Sequence, residues 1–242
     1  MRAKPPLRMR NLNKQEQAAI EAVGKRFSTT WEKGDDSADA YLIPAGKRVA
    51  VDVATLKRHG AHKAHAAKPR LRFDKVVIRL MERLEDSLGK TVPDGTTVLL
   101  TVIAPIRLPA KTAEALGGNI QTLLERGSTR RDKKDTIHGN RVQIRIVRNE
   151  FMRAPKLIGF VHNSDSDPLL LLNLTSEVLD LVSEAATRTT RTAGDRWLVM
   201  ISDRGTSWLE AYRYIGSHLR TATGFEKIIM VFGDGRVETL TE

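Results

Sequence analysis

The sequence predicts an α/β fold, a single domain with a central mixed sheet flanked by helices. Segments with apolar residues at helical spacing alternate along the chain with short segments rich in β-branched residues. No internal repeat or low-complexity linker interrupts this order. The 242 residues, of which 40% are hydrophobic, are enough to build a core of this kind.

The elements are predicted from apolar spacing, from turn residues and from capping residues. Asn13 and Glu16 have the spacing of a capping box, which predicts a helix through about residue 32. Strands over 38–43 and 47–55 are expected to form a hairpin. The remaining helices are predicted at about 73–88, 110–126, 174–189 and 206–221, and the remaining strands at 96–103, 142–147, 156–161, 197–201, 227–232 and 237–240. The alternation in 142–147 indicates a strand with one exposed face.

Positive charge is concentrated in three segments, residues 1–14, 57–72 and 126–141. They contain 17 basic and 2 acidic residues, whereas the rest of the chain contains 23 basic and 27 acidic residues, and the whole chain has a net charge of +11. A mildly acidic body with basic arms or loops is typical of a protein that binds a polyanion. The alternative is that these segments are solvated loops that only maintain solubility.

The residues expected to contact nucleic acid lie in the second and third of these segments, both predicted as loops. DNA is preferred over RNA as the partner, and no membrane partner is expected. The residues are Lys57, Arg58, Lys63, Lys68, Arg70, Arg72, Arg130, Arg131, Lys133 and Lys134.

Several classes of site are excluded by missing motifs. The chain has no cysteine, which removes disulfide scaffolds and thiol nucleophiles. It also lacks a glycine-rich phosphate loop, the His-Glu-x-x-His zinc motif and the Gly-x-Ser-x-Gly elbow. With no apolar segment long enough to cross a bilayer and no secretory signal, the chain is expected to be cytoplasmic.

The first hairpin contains two carboxylates that could share one ion. Asp52 lies between Ala50 and Ala54 on one face of an apolar strand, where a lone charge is costly to bury. Asp39 lies near the start of the partner strand, and directly opposed Cβ atoms in a hairpin are roughly 5 Å apart. Two convergent carboxylates suit Mg²⁺. The alternatives are a solvent-exposed Asp39 and an ion pair between Asp52 and an Arg or Lys.

Three consecutive segments together resemble the PD-(D/E)XK nuclease superfamily. They are the helix up to Trp31, the stretch 38–43 with Asp39, and the stretch 49–54 with Asp52. This resemblance implies a restriction-endonuclease-like core in which Asp39 and Asp52 hold a divalent metal. It also implies that Glu16 or Glu21, on the preceding helix, assists at the metal, although the capping box explains Glu16 by itself. The lysine that activates water in the family is replaced by Ala54.

The domain organisation expected from this resemblance is a basic flexible arm over 1–12 and a restriction-endonuclease-like domain over 13–242, with an insertion at about 73–150. Three functions stay open at this point. The chain could be a Mg²⁺-dependent nuclease, a catalytically inactive nucleic-acid-binding protein on the same fold, or an interaction subunit for an acidic protein. The sequence also leaves open whether the chain forms a homo-oligomer.

Overall fold

A computed structural model describes residues 11–56, 70–126, 131–149, 153–164, 167–188, 195–219 and 223–241. Its helices are α1 (Lys14–Arg26), α2 (Lys75–Leu88), α3 (Pro109–Glu125), α4 (Pro168–Arg188) and α5 (Leu209–Leu219). Its strands are β1 (Trp31–Asp35), β2 (Ala38–Leu42), β3 (Val49–Thr55), β4 (Thr96–Ile103), β5 (Arg131–Ile137), β6 (Asn140–Arg148), β7 (Leu157–His162), β8 (Arg196–Ser202), β9 (Lys227–Phe232) and β10 (Val237–Thr241).

The structure has the predicted α/β class, with mixed sheets and flanking helices, but its described residues form two sheets where the sequence predicts one central sheet. The chain divides into two compact units. The first comprises the described residues of 1–57, 184–206 and 224–242, and the second those of 58–183 and 207–223. Each sheet has its own apolar cluster, so each unit has its own core. The arm at 1–12 and the insertion at about 73–150 stay predictions.

The first unit is built on a six-stranded sheet in the order β1-β2-β3-β8-β9-β10. The pairs β3·β8 and β8·β9 are parallel and the other pairs are antiparallel. Helix α1 packs on one face, where Ile20 and Val23 meet Val51, Val199 and Ile229 in a fully buried cluster. The three central strands are therefore held in place by the apolar stripe of α1.

The second unit is built on a four-stranded sheet in the order β5-β6-β4-β7, with β4·β7 parallel. Helices α2 and α3 cover one face through Leu84, Leu116 and Ile120. Helix α4 covers the other face, where Asn173 and Ser176 accept hydrogen bonds from the Arg145 guanidinium at 2.8 and 3.2 Å. The prediction that 142–147 has an exposed face is wrong in this respect, because Arg145 is only 3% exposed.

The first helix is shorter than predicted. It ends at Arg26, Ser28 adopts a left-handed backbone with φ of 51°, and Trp31 begins β1 opposite Leu42. Trp31 still packs against the same core cluster as α1. The spacing of Phe27 and Trp31 therefore correctly predicted that both side chains pack against the core. It incorrectly predicted that both residues are helical.

The third basic segment is also different from its predicted loop. Residues 131–137 form the edge strand β5, which pairs with β6 over its whole length. Its charged residues form ion pairs, Lys133 with Asp135 and Asp132 with Arg145 of β6, and this allows a highly charged sequence to pair as a strand. Helix α4 begins at Pro168 rather than at about 174, because proline is well suited to the first helical turn.

No helix within these described ranges combines the length and the apolar composition that a membrane span requires.

Candidate carboxylate site

Asp39 and Asp52 lie on neighbouring antiparallel strands of the first unit. Ala40 of β2 is paired with Val51 of β3, and the same register counted one residue further places Asp39 opposite Asp52. The hairpin that sets this register turns through Pro44–Gly46, where Gly46 has φ of 81°, a value that glycine adopts without strain. The two carboxylates that the sequence singled out therefore lie on adjacent strands, one residue beyond the last paired positions.

Asp39 is half-buried and holds the backbone of the partner strand. Its Oδ2 atom accepts a hydrogen bond from the backbone N–H of Val53 at 2.8 Å. The backbone pairing of β2 with β3 ends at Ala40 and Val51. Beyond that point the Asp39 carboxylate provides the acceptor for a backbone N–H of β3.

Asp52 is 8% exposed and forms an ion pair with Arg196. Nη2 of Arg196 donates to Oδ2 of Asp52, and both side chains are about nine-tenths buried. Arg196 begins β8, which runs parallel to β3, and its guanidinium lies 5.0 Å from the centroid of the Phe225 ring. This contact corresponds to the alternative that the sequence left open for Asp52, a pair with a neighbouring cation.

Ala54, where the resemblance would place a lysine, is buried and paired with Met200 of β8. Among the described residues, the basic group that pairs with Asp52 is Arg196, which was not predicted from the sequence. The sequence did contain a signal for this ion pair. An arginine at the first position of an apolar strand is expected to pair with an acidic residue, because a buried charge requires a counter-charge.

Glu16 is buried at the start of α1 and completes the capping box. The Asn13 side chain accepts from the backbone N–H of Glu16 at 3.0 Å, and a Glu16 carboxylate oxygen accepts from the backbone N–H of Asn13 at 2.9 Å. Glu21 is exposed on the same helix. Within the described ranges, no three His, Asp or Glu residues are grouped as metal ligands would be. The catalytic and metal-binding roles of Glu16, Glu21, Asp39 and Asp52 stay predictions.

The predicted nucleic-acid contacts are only partly within the described residues. Lys57, Arg58, Lys63, Lys68 and Arg130 lie outside them, as does the side chain of Arg131.

Arg70 and Arg72 are exposed beside β7, where Asp74 forms an ion pair with Arg72 at 3.2 Å. Lys133 contacts Asp135 at 3.0 Å, and this hydrogen bond lowers the pKa of the Asp135 carboxyl below its ordinary value. Lys134 is exposed on β5.

Comparison with known proteins gave no match, either to a protein-family model, to a curated protein or to a solved structure.

Proposed function

We propose that this protein binds nucleic acid through its basic segments, on a nuclease-like core in which the Asp52–Arg196 ion pair is structural. The observation that carries the proposal is the arrangement of charge on β5 and β6. Both acidic residues of the third basic segment are engaged in ion pairs, and cations are left over at the surface.

Asp132 and Asp135 are the acidic residues concerned. Asp132 accepts two hydrogen bonds from the Arg145 guanidinium, at 2.6 and 2.7 Å, and Asp135 is paired with Lys133. Lys134 and Arg141 are exposed, and within the described part of the chain neither has an ion-pair partner. Exposed cations of this kind are available to phosphates, and their binding releases the counterions condensed on the nucleic acid.

The buried ion pair favours binding without catalysis. Asp52 already has a counter-charge, and Asp39 already accepts a backbone hydrogen bond. A metal ion at Asp52 would have to compete with Arg196, and Ala54 provides no lysine to assist an attacking water.

A second candidate function is Mg²⁺-dependent phosphodiester hydrolysis, favoured by the placement of Asp39 and Asp52 on adjacent strands. In that case the two carboxylates would hold the ion, and Arg196, released from Asp52, would stabilise negative charge on the phosphate. A rise in melting temperature with Mg²⁺ or Mn²⁺, together with metal-dependent cleavage, would support this candidate over the first.

The proposed binding is tested by fluorescence anisotropy with a labelled 20-mer, supplied as duplex DNA, single-stranded DNA and RNA. We expect affinity to fall steeply between 50 and 200 mM salt, with log Kd linear in the logarithm of salt concentration, because each phosphate contact contributes about 0.9 to the slope. The double variant Lys134→Gln/Arg141→Gln should reduce the slope for duplex DNA by up to about 2.

The matched control is Lys90→Gln, which removes one exposed charge outside the basic segments. The control should bind as the wild type does. A half-saturation point that does not change with salt would contradict the proposal.

A further inference from the structure

A cleft of about 380 Å³ lies in the second unit, over one face of the four-stranded sheet. A row of residues crosses this face: Lys134 of β5 is paired with Gln143 of β6, and Gln143 is paired with Thr101 of β4. Residues paired in this way point to the same face. Arg141 and Thr136, which are also paired, lie beside the row, and Ser164 forms part of the wall near the start of α4.

Two buried polar atoms at the floor of the cleft have no hydrogen-bond partner among the described residues. Thr101 is 1% exposed, and its hydroxyl has no hydrogen-bond partner among the described residues. The Oε1 atom of Gln143 is buried beside it, also without a partner in the described part of the chain. Buried polar groups are nearly always hydrogen-bonded, because an unmade bond costs the full desolvation of the group. Two such atoms, on paired residues of neighbouring strands at the floor of a cleft, indicate a ligand that bonds to them.

The mouth of the cleft is positively charged. Lys134 and Arg141 line it, and both are exposed. Asp135 is also a lining residue, but its carboxylate is bound to Lys133 at 3.0 Å and to the Asn119 amide at 3.4 Å. The positive charge of Lys134 and Arg141 is therefore available to an anionic group.

We propose that this cleft binds a nucleoside monophosphate, with the phosphate at Lys134 and Arg141 and the edge of the base at Thr101 and Gln143. Lys134 and Thr101 lie two strands apart, roughly 10 Å, so the anion site and the polar floor are separated by space for a sugar. Gln143 Oε1 accepts from an amino or imino N–H of the base, and the Thr101 hydroxyl donates to a ring nitrogen or carbonyl. The volume falls within the range of small-molecule sites.

The same chemistry occurs in a free nucleotide and at the 5′-phosphorylated end of a strand. The inference goes beyond the proposed binding of polymeric nucleic acid, because contacts to the base and to one phosphate do not require a polymer. The two hypotheses share Lys134 and Arg141, whereas Thr101 and Gln143 belong to this one alone.

The test is calorimetric titration of the full chain with AMP, GMP, CMP and UMP, with a 5′-phosphorylated dinucleotide, and with inorganic phosphate and adenosine separately. At least one mononucleotide should bind at least tenfold more tightly than phosphate or adenosine. If the dinucleotide also binds, the ligand is the phosphorylated end of a strand. If the dinucleotide does not bind, the ligand is a free nucleotide. Inorganic phosphate that binds as tightly as every mononucleotide, or no saturable nucleotide binding, would overturn the proposal.

Three variants separate this site from the polymer contacts. Thr101→Val removes the hydroxyl at nearly constant volume, so it should weaken mononucleotide binding about tenfold while the melting temperature of the free protein is unchanged or higher. Thr101→Ser keeps the hydroxyl and should bind as the wild type does. Lys90→Gln, outside the cleft, should also bind normally.

The Thr101 variants should leave the salt dependence of duplex DNA binding unchanged. Failure of the mononucleotide site can therefore be recognised separately from failure of the proposed binding of polymeric nucleic acid. Thr101→Val that binds mononucleotide like the wild type would overturn the assignment of the base edge.

Discussion

A carboxylate inside an apolar strand needs a counter-charge, and in this protein Arg196 provides it for Asp52. Both side chains are about nine-tenths buried, and the arginine lies near the Phe225 ring. An isolated member of such a pair would be a buried, uncompensated charge. The stability of the first unit therefore depends on keeping both members or on replacing both.

The substitution Asp52→Asn is expected to lower the free energy of unfolding by about 3–5 kcal/mol in metal-free buffer, because it leaves the buried guanidinium without its counter-charge. The double variant Asp52→Leu/Arg196→Met should be much closer to the wild type, since a buried pair replaced by apolar residues is often near neutral. Urea denaturation measures both. If Asp52→Asn is as stable as the wild type and removes a Mg²⁺-dependent cleavage activity, Asp52 is a metal ligand and not half of a structural pair.

A second carboxylate, Asp35, predicts a dependence of stability on pH. Hydrogen bonds from the Ser37 hydroxyl, the Ser37 backbone N–H and the Tyr41 hydroxyl lower the pKa of Asp35 from 3.8 to about 2. A folded-state pKa below the unfolded value stabilises the fold above about pH 4, and this contribution is lost as the pH falls towards 2.

Wild-type melting temperature should therefore fall more between pH 4 and pH 2 than that of Asp35→Asn, which cannot titrate. Because Asp35 is exposed, the difference should be small. Parallel profiles for the wild type and Asp35→Asn would show that the hydrogen bonds do not favour the ionised carboxylate.

At the level of single elements, α1 begins with interactions that can be read directly from the sequence. The capping box between Asn13 and Glu16 is confirmed in both directions. Where the helix ends was not predictable from spacing, because Phe27 and Trp31 pack, partly buried, against the same core whether they lie on a helix or on a strand. A capping motif is a local interaction, whereas the end of this helix depends on the pairing of β1 with β2.

The variants Glu16→Gln and Glu16→Ala distinguish a capping role of Glu16 from a role at a metal site. A glutamine completes a capping box as well as a glutamate does, so Glu16→Gln should change the unfolding free energy little, whereas Glu16→Ala should cost about 1 kcal/mol. Thermal or urea denaturation gives both values. A capping role predicts that nucleic-acid binding is unchanged in Glu16→Gln; loss of a metal-dependent activity in this variant would instead assign Glu16 to a metal site.

At the scale of the whole molecule, the chain forms two compact units with separate apolar clusters. The strands of the six-stranded sheet come from both ends of the described chain, and those of the four-stranded sheet come from its middle. Each core is thus closed by its own helices. Local stability should follow this division.

Leu116 of α3 is fully buried in the apolar cluster that α2 and α3 form with the four-stranded sheet. Leu116→Ala should therefore destabilise the second unit by about 2–5 kcal/mol. Native-state hydrogen exchange should show the loss of protection chiefly in β4, β6 and β7, with β3 and β8 much less affected. The corresponding change in the first unit, Val199→Ala, should show the opposite distribution. An equal loss of protection in both sheets would indicate that the chain unfolds as one cooperative unit.

The local structure of this protein was largely determined by its sequence. The capping box, the hairpin over β2 and β3, the strand over 96–103 and the helix over 75–88 depend on neighbouring residues and on apolar spacing, both of which are visible in one dimension. The antiparallel pairing of the two strands that carry Asp39 and Asp52 also follows from the hairpin, because a short connection fixes the register of its two strands.

Only the tertiary structure decided how distant segments meet. The pairing of Asp52 with Arg196, 144 residues away, requires β8 to lie beside β3. The row from Lys134 through Gln143 to Thr101 requires three strands from two separate parts of the chain. The division into two sheets depends on which strands find each other, as does the formation of β5 from a charged segment. Such pairings carry no signal in local spacing, because their energy comes from hydrogen bonds, ion pairs and burial that exist only after the chain has closed long loops.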